Sequence, residues 1–313
     1  MDKIDNRPSH ERIQKLLDII CPGSRPENIS AVDGSYSNYT HLLEVSRSDG
    51  RAIKLIIRQY AVFGNYDRGE KARREYATLH YVNQYGIPSP RPVYLVEDGG
   101  VLGNPGIVTE YVDGKLDMIP AAPERWAREM AATLAHIHAL PAGIPDGSFI
   151  LDANREATWF LRNSAPPEFM AAYPGGKEVW KAADALFLTY QPPKKSLVHI
   201  DYWPGNILWK ENRISAVVDW EEAAYGDPDI DVAYAMMEIS ISGYSTAAED
   251  FLESYRQVSG RKAMNLLLWK MAAAARPMFS PETWDIVEGP RRERFNNFVE
   301  NILRDYANKY GRL

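Results

Sequence analysis

The spacing of apolar residues changes its period once along this chain, and that change constrains the fold more than any other feature. Up to about Tyr111 the pattern is that of strands, and after Gly114 it is helical almost throughout. Tyr39 to Val45 and Ile53 to Tyr60 are rich in β-branched, aromatic and aliphatic residues, and Ser48-Asp49-Gly50 between them is a hairpin signal. The strand pattern begins near Ile29, and Val93 to Glu97 and Gly106 to Tyr111 read as two further strands. A helix is predicted before the strands, with Ser9 as its cap and Ile13, Leu16, Leu17 and Ile20 as its stripe, ended by Cys21-Pro22-Gly23. Another is predicted from about Arg68 to Gln84, stopped by Gly86 and Pro88. The result is a β-β-α-β-β order with an antiparallel sheet.

Beyond Gly114, helices are predicted over Glu124 to Leu140, Gly175 to Tyr190, Asp229 to Ile241, Thr246 to Val258, Arg261 to Arg276 and Arg291 to Lys309. Two or three short strands fall between Ser196 and Val218. A strand-rich third followed by a helix-rich remainder predicts an α+β chain of two lobes, 1–112 and 113–313. Composition narrows the function. A net charge of −6 argues against nucleic-acid binding, which needs clustered Lys and Arg. The single Cys21 excludes a disulfide framework and a cysteine zinc site. No apolar run approaches the ~20 residues of a membrane span, and Met1 to Arg12 is charged and polar, unlike a signal peptide. These features lead to the expectation of a cytoplasmic protein without membrane or nucleic-acid partners; they leave its oligomeric state open.

Chemistry concentrates in one segment. The apolar strand at Leu197-Val198 delivers His199-Ile200-Asp201 into a turn, and Asn206 follows the Asp by five positions. A second apolar strand, Ile214 to Val218, ends in Asp219-Trp220-Glu221. His-x-Asp, a following Asn, and an Asp at the end of the next hairpin match the logic of the protein-kinase template. Phosphoryl transfer requires these types: a carboxylate facing the attacking hydroxyl, and an amide oxygen with a second carboxylate to hold Mg²⁺ on the nucleotide phosphates. Each piece alone is a common turn feature; the joint spacing is what is specific. Only eight positions separate Asp219 from Asp227, with no Ala-Pro-Glu anchor, so the peptide platform of a protein kinase is missing and a small-molecule acceptor is favoured.

The run from Val198 to Ala233, including Asp219-Trp220-Glu221 and Gly226-Asp227-Pro228, resembles the aminoglycoside phosphotransferase and choline kinase family of small-molecule kinases. Asp33 to Thr40 looks like that family's nucleotide loop, Gly106 to Gly114 like its interlobe hinge, and Leu134 to Leu140 like its first large-lobe helix, while the last seventy or so residues match loosely. The resemblance implies a bilobal protein-kinase-like fold, with a small antiparallel-sheet lobe and a larger mainly helical lobe. It also implies transfer of the γ-phosphate of ATP or GTP, with Mg²⁺, to a small-molecule hydroxyl. By position, Asp201 is then the catalytic Asp, Asn206 and Asp219 are metal ligands, Arg58 stands where the family has its phosphate-binding Lys, and Asp231 braces the catalytic loop. Ile200 departs from the family's usual Gly, and Glu221 stands where protein kinases carry Gly.

Alternation puts Arg58 and Lys54 on the sheet face opposite Ile53, Leu55 and Ile57, too far apart to share one phosphate. The partner carboxylate of Arg58 is expected on the following helix, at Glu75 with Glu70 as runner-up. Ser35 and Ser37 are placed to face phosphate oxygens, and Glu110 and Val112 to offer backbone groups to a purine. Glu221 and Glu222, with Asp113 and Asp117, would suit a cationic acceptor such as an amino sugar or choline. Macrolides, choline-like alcohols and hydroxy amino acids stay open as acceptors. Two rival readings are a kinase-fold nucleotide-binding module without turnover and a metallohydrolase using His199, Asp201 and Asp219. Residues 277–290, with Trp284, Asp285 and Glu288, read as a candidate substrate loop.

Overall fold

The computed structural model describes residues 7–32, 38–61, 67–141, 143 and 150–311. The chain divides into two compact units. The first contains chiefly the chain up to residue 114 together with 215–222; the second contains chiefly 115–141, 150–214 and 223–311. The sequence reading makes one cut between 112 and 113, whereas the chain also returns residues 215–222, which carry Asp219 and Glu221, to the first unit.

In the first unit, helix α1 (His10–Ile20) is capped by the Ser9 hydroxyl, which accepts the Arg12 N–H at 3.4 Å. It precedes strands β1 (Arg25–Ala31), β2 (Asn38–Ser46) and β3 (Ala52–Tyr60). Helix α2 (Arg68–Gln84), capped by Asp67, and strands β4 (Pro92–Val96) and β5 (Gly106–Glu110) complete the unit's main elements. The five strands form one antiparallel sheet in the order β1-β2-β3-β5-β4. Strand β1 extends the expected β-β-α-β-β pattern. Its first half, Arg25-Pro26-Glu27-Asn28, has poor strand propensity and contains a bulge between Pro26 and Asn28, but pairing with β2 overrides the local preference.

Strand alternation gives the sheet two different faces. Leu43, Val45, Leu55, Ile57 and Val108 pack with Ile13, Leu16 and Leu17 of α1 into an apolar core. The residues between them point the other way, and the register sets Asn38 opposite Tyr60 and Thr40 opposite Arg58 on that second face. Lys54 pairs with Glu44 across β2 and β3 at 3.0 Å and is half exposed, a solvated surface pair.

The second unit opens with β6 (Lys115–Leu116) and α3 (Pro123–His138), followed by β7 (Leu151–Asp152) and the short helices α4 (Ala153–Ala157) and α5 (Glu168–Ala172). Then come α6 (Gly176–Leu188), β8 (Ser196–Val198) and β9 (Ile207–Lys210), and β10 (Arg213–Val217), along which the chain passes to the first unit. Back in the second unit are β11 (Ala224–Gly226), α7 (Asp229–Ile241), α8 (Ser245–Ser259), α9 (Leu266–Phe279) and α10 (Gly289–Tyr310). Strand β11 lies between β7, which it meets in parallel, and β8, which it meets antiparallel. Helix α7 is buried along nearly its whole length under α8, α9 and α10, as its apolar residues on every side require.

Two expectations about the last hundred residues change. Helix α9 starts at Leu266 rather than Arg261, because Gly260 ends α8 in a left-handed conformation and Ala263 has φ 49°. Pro277 lies inside the last turn of α9, so residues 277–290 are not one loop. No helix among the described residues is long and apolar enough to cross a membrane.

Candidate active site

The second face of the first unit's sheet holds a buried charged cluster. Arg58, on β3, meets Glu75 of α2 at 3.4 Å and Glu221 at 3.2 Å, and also pairs with Asp219. The expected partner carboxylate is thus Glu75, while Glu70 is exposed at the start of α2. Glu221 is further bound by Lys71 at 3.3 Å and by the Asn38 amide at 2.7 Å. Arg74 donates to the Glu221 backbone carbonyl at 2.6 Å, and the Trp220 N–H donates to Glu75 at 3.3 Å. Lys71, Arg74 and Glu75 share one face of α2 through i, i+3 and i, i+4 spacing, so a single helical face grips the Asp219-Trp220-Glu221 turn.

Three carboxylates here share the Arg58 and Lys71 charges, and the protons divide accordingly. Burial, with Asp219 and Glu221 beside it, pushes the Glu75 carboxyl up to about 7 against the pull of Arg58. The Tyr60 hydroxyl donates to Glu75 from the same sheet face. Burial also opposes ionisation of Glu221, but Arg58 and Lys71 outweigh it and hold its carboxyl below the usual range. Glu221 is therefore not an acid facing a cationic acceptor. That expectation is corrected, because its charge is spent on Arg58, Lys71 and Asn38. Glu222 is half-buried and adds to the field on Arg74.

The second unit carries the His199 to Asn206 segment. His199 and Ile200 leave β8 with their backbone N–H groups donated to the two oxygens of Asp231, at 2.7 and 2.8 Å. Asp231 sits in the first turn of α7 and also meets His138 Nε2 at 3.1 Å. His138 satisfies both of its neighbours when neutral, donating from Nε2 to Asp231 and accepting at Nδ1 from the Tyr255 hydroxyl at 2.8 Å. Ile200 has φ 73°, a conformation that costs a β-branched residue and that glycine adopts freely. The Asp231 brace holds that turn and aims the next residue, Asp201.

The Asn206 amide nitrogen donates to the Asp201 carboxylate at 2.8 Å and to the Asp201 carbonyl at 2.9 Å. Both bonds use the amide nitrogen, which leaves the amide oxygen, a donor that suits a hard cation such as Mg²⁺, out of the pairing of Asn206 with Asp201. Gly205 is required between them, because a Cβ there would collide with the Trp203 indole. Tyr202 ties the loop to α3 by donating to the Met130 carbonyl at 2.8 Å. On the other side of Asp201, Arg276 of α9 approaches Oδ1 at 3.4 Å while lying 4.6 Å over the Tyr234 ring.

Several other expectations find their place. Asp227 accepts the Asp229 N–H at 3.0 Å, and α7 begins at Asp229 with Pro228 in its cap position. Trp209 stacks on Trp126 and Trp220 is wholly buried, so both are core. The Trp284 indole is held by the buried Glu238 at 2.7 Å, and Arg291 holds the same carboxylate at 2.9 Å, which ties down the segment read as a substrate loop. At the hinge, the Glu110 N–H is taken by the Arg91 carbonyl at 2.8 Å and the Tyr111 N–H by that of Lys54 at 3.1 Å, leaving Val112 as the next backbone donor along. Ser35 and Ser37 lie outside the described residues. Among the described residues, no three His, Cys, Asp or Glu side chains group as a metal site. Sequence reasoning missed Lys71, Tyr60, Asn38 and Arg276. The charged face of α2 could have signalled Lys71, whereas nothing in the local sequence marks Arg276.

A family model described as the phosphotransferase enzyme family matches residues 28–267. Acyl-CoA dehydrogenase family member 11 of Gallus gallus is 27% identical over 179 residues, covering 53% of this chain and 22% of that protein. Homoserine kinase of Methylocella silvestris is 27% identical over 165 residues, 50% of each chain. The chain thus spans one half or less of the length of these curated relatives. Among solved structures, a candidate aminoglycoside phosphotransferase of Ralstonia eutropha aligns with a TM-score of 0.70 at 19% identity, covering 97% of this chain and 99% of that one. That likeness establishes the α+β fold expected from the sequence.

Proposed function

This chain belongs to the phosphotransferase enzyme family, and on that premise we propose that it transfers the γ-phosphate of ATP or GTP to a hydroxyl of a small molecule. One observation carries the reading: Asp201 is aimed by a braced, left-handed turn and its carboxylate is oriented by Asn206. Such preorganisation suits a reaction dominated by positioning and electrostatics. In the proposed step the acceptor oxygen bonds to the γ-phosphorus and the bond to the bridging β,γ-oxygen breaks. The hydroxyl proton passes to Asp201, and the nucleoside diphosphate leaves.

Asn206 and Asp219 would hold Mg²⁺, which when bound neutralises charge on the nucleotide phosphates. Arg58 would face those phosphates, with Glu75 setting its direction; Ser35 and Ser37 would line the nucleotide loop, and Glu110 and Val112 the purine. A cytoplasmic location fits the use of ATP or GTP. The test is γ-phosphate transfer from each nucleotide across a panel of hydroxylated acceptors, by wild type and by Asp201→Asn. Loss of about 10²-fold or more in rate with nucleotide binding kept supports the reading, since general-base assistance has that size. Nucleotide binding without transfer to any acceptor would instead mark a binding module.

A further inference from the structure

The surroundings of Asp201 carry information about the acceptor. Its carboxylate meets three side chains: the Asn206 amide at 2.8 Å on Oδ2, Arg276 at 3.4 Å on Oδ1, and the Tyr234 hydroxyl. Asn206 is fixed in the loop by its second bond to the Asp201 carbonyl. Oδ1 carries the longer of the two measured bonds, so a hydroxyl approaching Asp201 reaches that oxygen most readily, and there it meets the guanidinium. At 3.4 Å the pair is longer than a charge-assisted bond of about 2.7–2.9 Å, and with Arg276 23% and Asp201 29% exposed it is open to an incoming ligand.

The charges around this pair select what can take its place. An ammonium on the acceptor would sit beside the Arg276 guanidinium, and the buried carboxylate of this neighbourhood, Glu238, is already bound by Arg291 and the Trp284 indole. The acid expected to greet a cation, Glu221, is consumed in the first unit. A carboxylate on the acceptor has the opposite effect. It offers the guanidinium a charge-assisted, two-pronged partner, stronger than the bond it leaves, and in drawing Arg276 over it uncovers Oδ1 for the hydroxyl.

We infer that the acceptor is a short hydroxylated carboxylate, and that Arg276 reads its carboxylate and so admits the hydroxyl to Asp201. This rests on the kinase reading above and specifies its acceptor. In the transfer itself the proton goes from the acceptor hydroxyl to Oδ1 of Asp201 as the oxygen–phosphorus bond forms, and Arg276 stays charged throughout.

The experiment is calorimetric binding to the full chain with the nucleoside diphosphate and Mg²⁺ present, run beside γ-phosphate transfer from ATP. The ligands are glycolate, 3-hydroxybutyrate, serine and homoserine, the amide of each, and ethanolamine and choline. Binding by at least one carboxylate, a tenfold or greater loss for its amide, and a comparable loss in Arg276→Gln that Arg276→Lys partly restores are the expected results. The KM for ATP should stay within twofold of wild type in both variants. Equal binding of acid and amide, preference for ethanolamine or choline, no binding by any carboxylate, or an Arg276→Gln variant with unchanged acceptor affinity would each overturn the inference. Transfer to a neutral or cationic acceptor alone overturns it while leaving the kinase reading intact. Arg276-dependent carboxylate binding without transfer to any acceptor supports the binding role and removes the kinase reading instead.

Discussion

Replacing Asp231 by Asn tests the brace behind the catalytic loop. The carboxylate accepts the His199 and Ile200 N–H groups at 2.7 and 2.8 Å and takes a third bond from His138 at 3.1 Å. An amide has one acceptor oxygen, so in Asp231→Asn at least one of these buried donors faces an NH₂ group. An unpaired buried donor costs about 1–3 kcal/mol. Holding Ile200 at φ 73° stores strain that persists while its surroundings over-determine it. With a weakened brace Ile200 relaxes and moves Asp201 with it, and the released strain offsets part of the loss. We expect unfolding free energy to fall by about 1–3 kcal/mol and phosphoryl transfer to fall at least ~10-fold through misplacement of the carboxylate. Urea unfolding followed by tryptophan fluorescence, with initial rates, measures both. Ile200→Gly separates strain from lost packing, because glycine accepts this φ without cost while giving up a buried side chain. If Asp231 acts through the turn, the effect of Ile200→Gly differs between the Asp231→Asn background and wild type by ~1–2 kcal/mol of coupling, because the strain that glycine relieves in wild type is already released where the brace is weakened. Equal effects in both backgrounds, or a loss below ~1 kcal/mol for Asp231→Asn, would refute the reasoning.

The pH dependence of stability should carry a signature from Asp229, whose carboxyl is pushed up to about 7 by burial and by the adjoining Asp227. The unfolded group titrates near ~4, so between those values the folded chain holds the extra proton. Stability from this group falls as pH rises through that window and is level above it, by on the order of 2–4 kcal/mol in total. Asp229→Asn should flatten the profile of urea midpoint against pH, and an unchanged slope counts against the assignment. Arg58→Met leaves Glu75, Asp219 and Glu221 with one less cation among them, a change expected to cost more than ~3 kcal/mol where Arg58→Lys costs less; equal melting temperatures for the two variants would show that charge does not hold the cluster. Tyr60→Phe removes the hydroxyl that donates to Glu75 and is expected to lower stability by about 1–2 kcal/mol in chemical denaturation.

The parts of this fold that were legible in sequence are those specified by local physics. Helix α2 runs from Arg68 to Gln84 as predicted, ending before Gly86 and Pro88, and α7 runs from Asp229 to Ile241 as its pattern predicts. Alternation along β3 correctly separated Arg58 from Leu55 and Ile57. Strand β1 was only half visible because its pairing with β2, rather than its own residues, makes it a strand. The start of α9 was missed because the left-handed residues before it leave no mark in an apolar pattern. Ile200 shows the limit from the other side: the sequence presents an unremarkable aliphatic residue, and only the backbone angle and its two neighbours' bonds to Asp231 show what the position demands.

Glu221 and Arg276 together show why the acceptor's charge was the hardest property to read. A carboxylate two positions from Asp219, which the sequence reads as a metal ligand, looks in one dimension like an invitation to a cation. Its actual partners, Asn38 and Lys71, lie 183 and 150 positions away in sequence, so no local window could assign them. Arg276 is equally silent, as one cation near the end of an apolar helix, until α9 sets it 75 positions from its partner against Asp201. The field at a reacting carboxylate is a sum over neighbours chosen by topology, and burial multiplies each contribution. Glu221 is neutralised by its own partners in the first unit, and in the second unit Asp201 has the Arg276 guanidinium beside it. The acceptor inferred above brings negative charge to that guanidinium, and a preference for an acid over its amide is the measurable consequence.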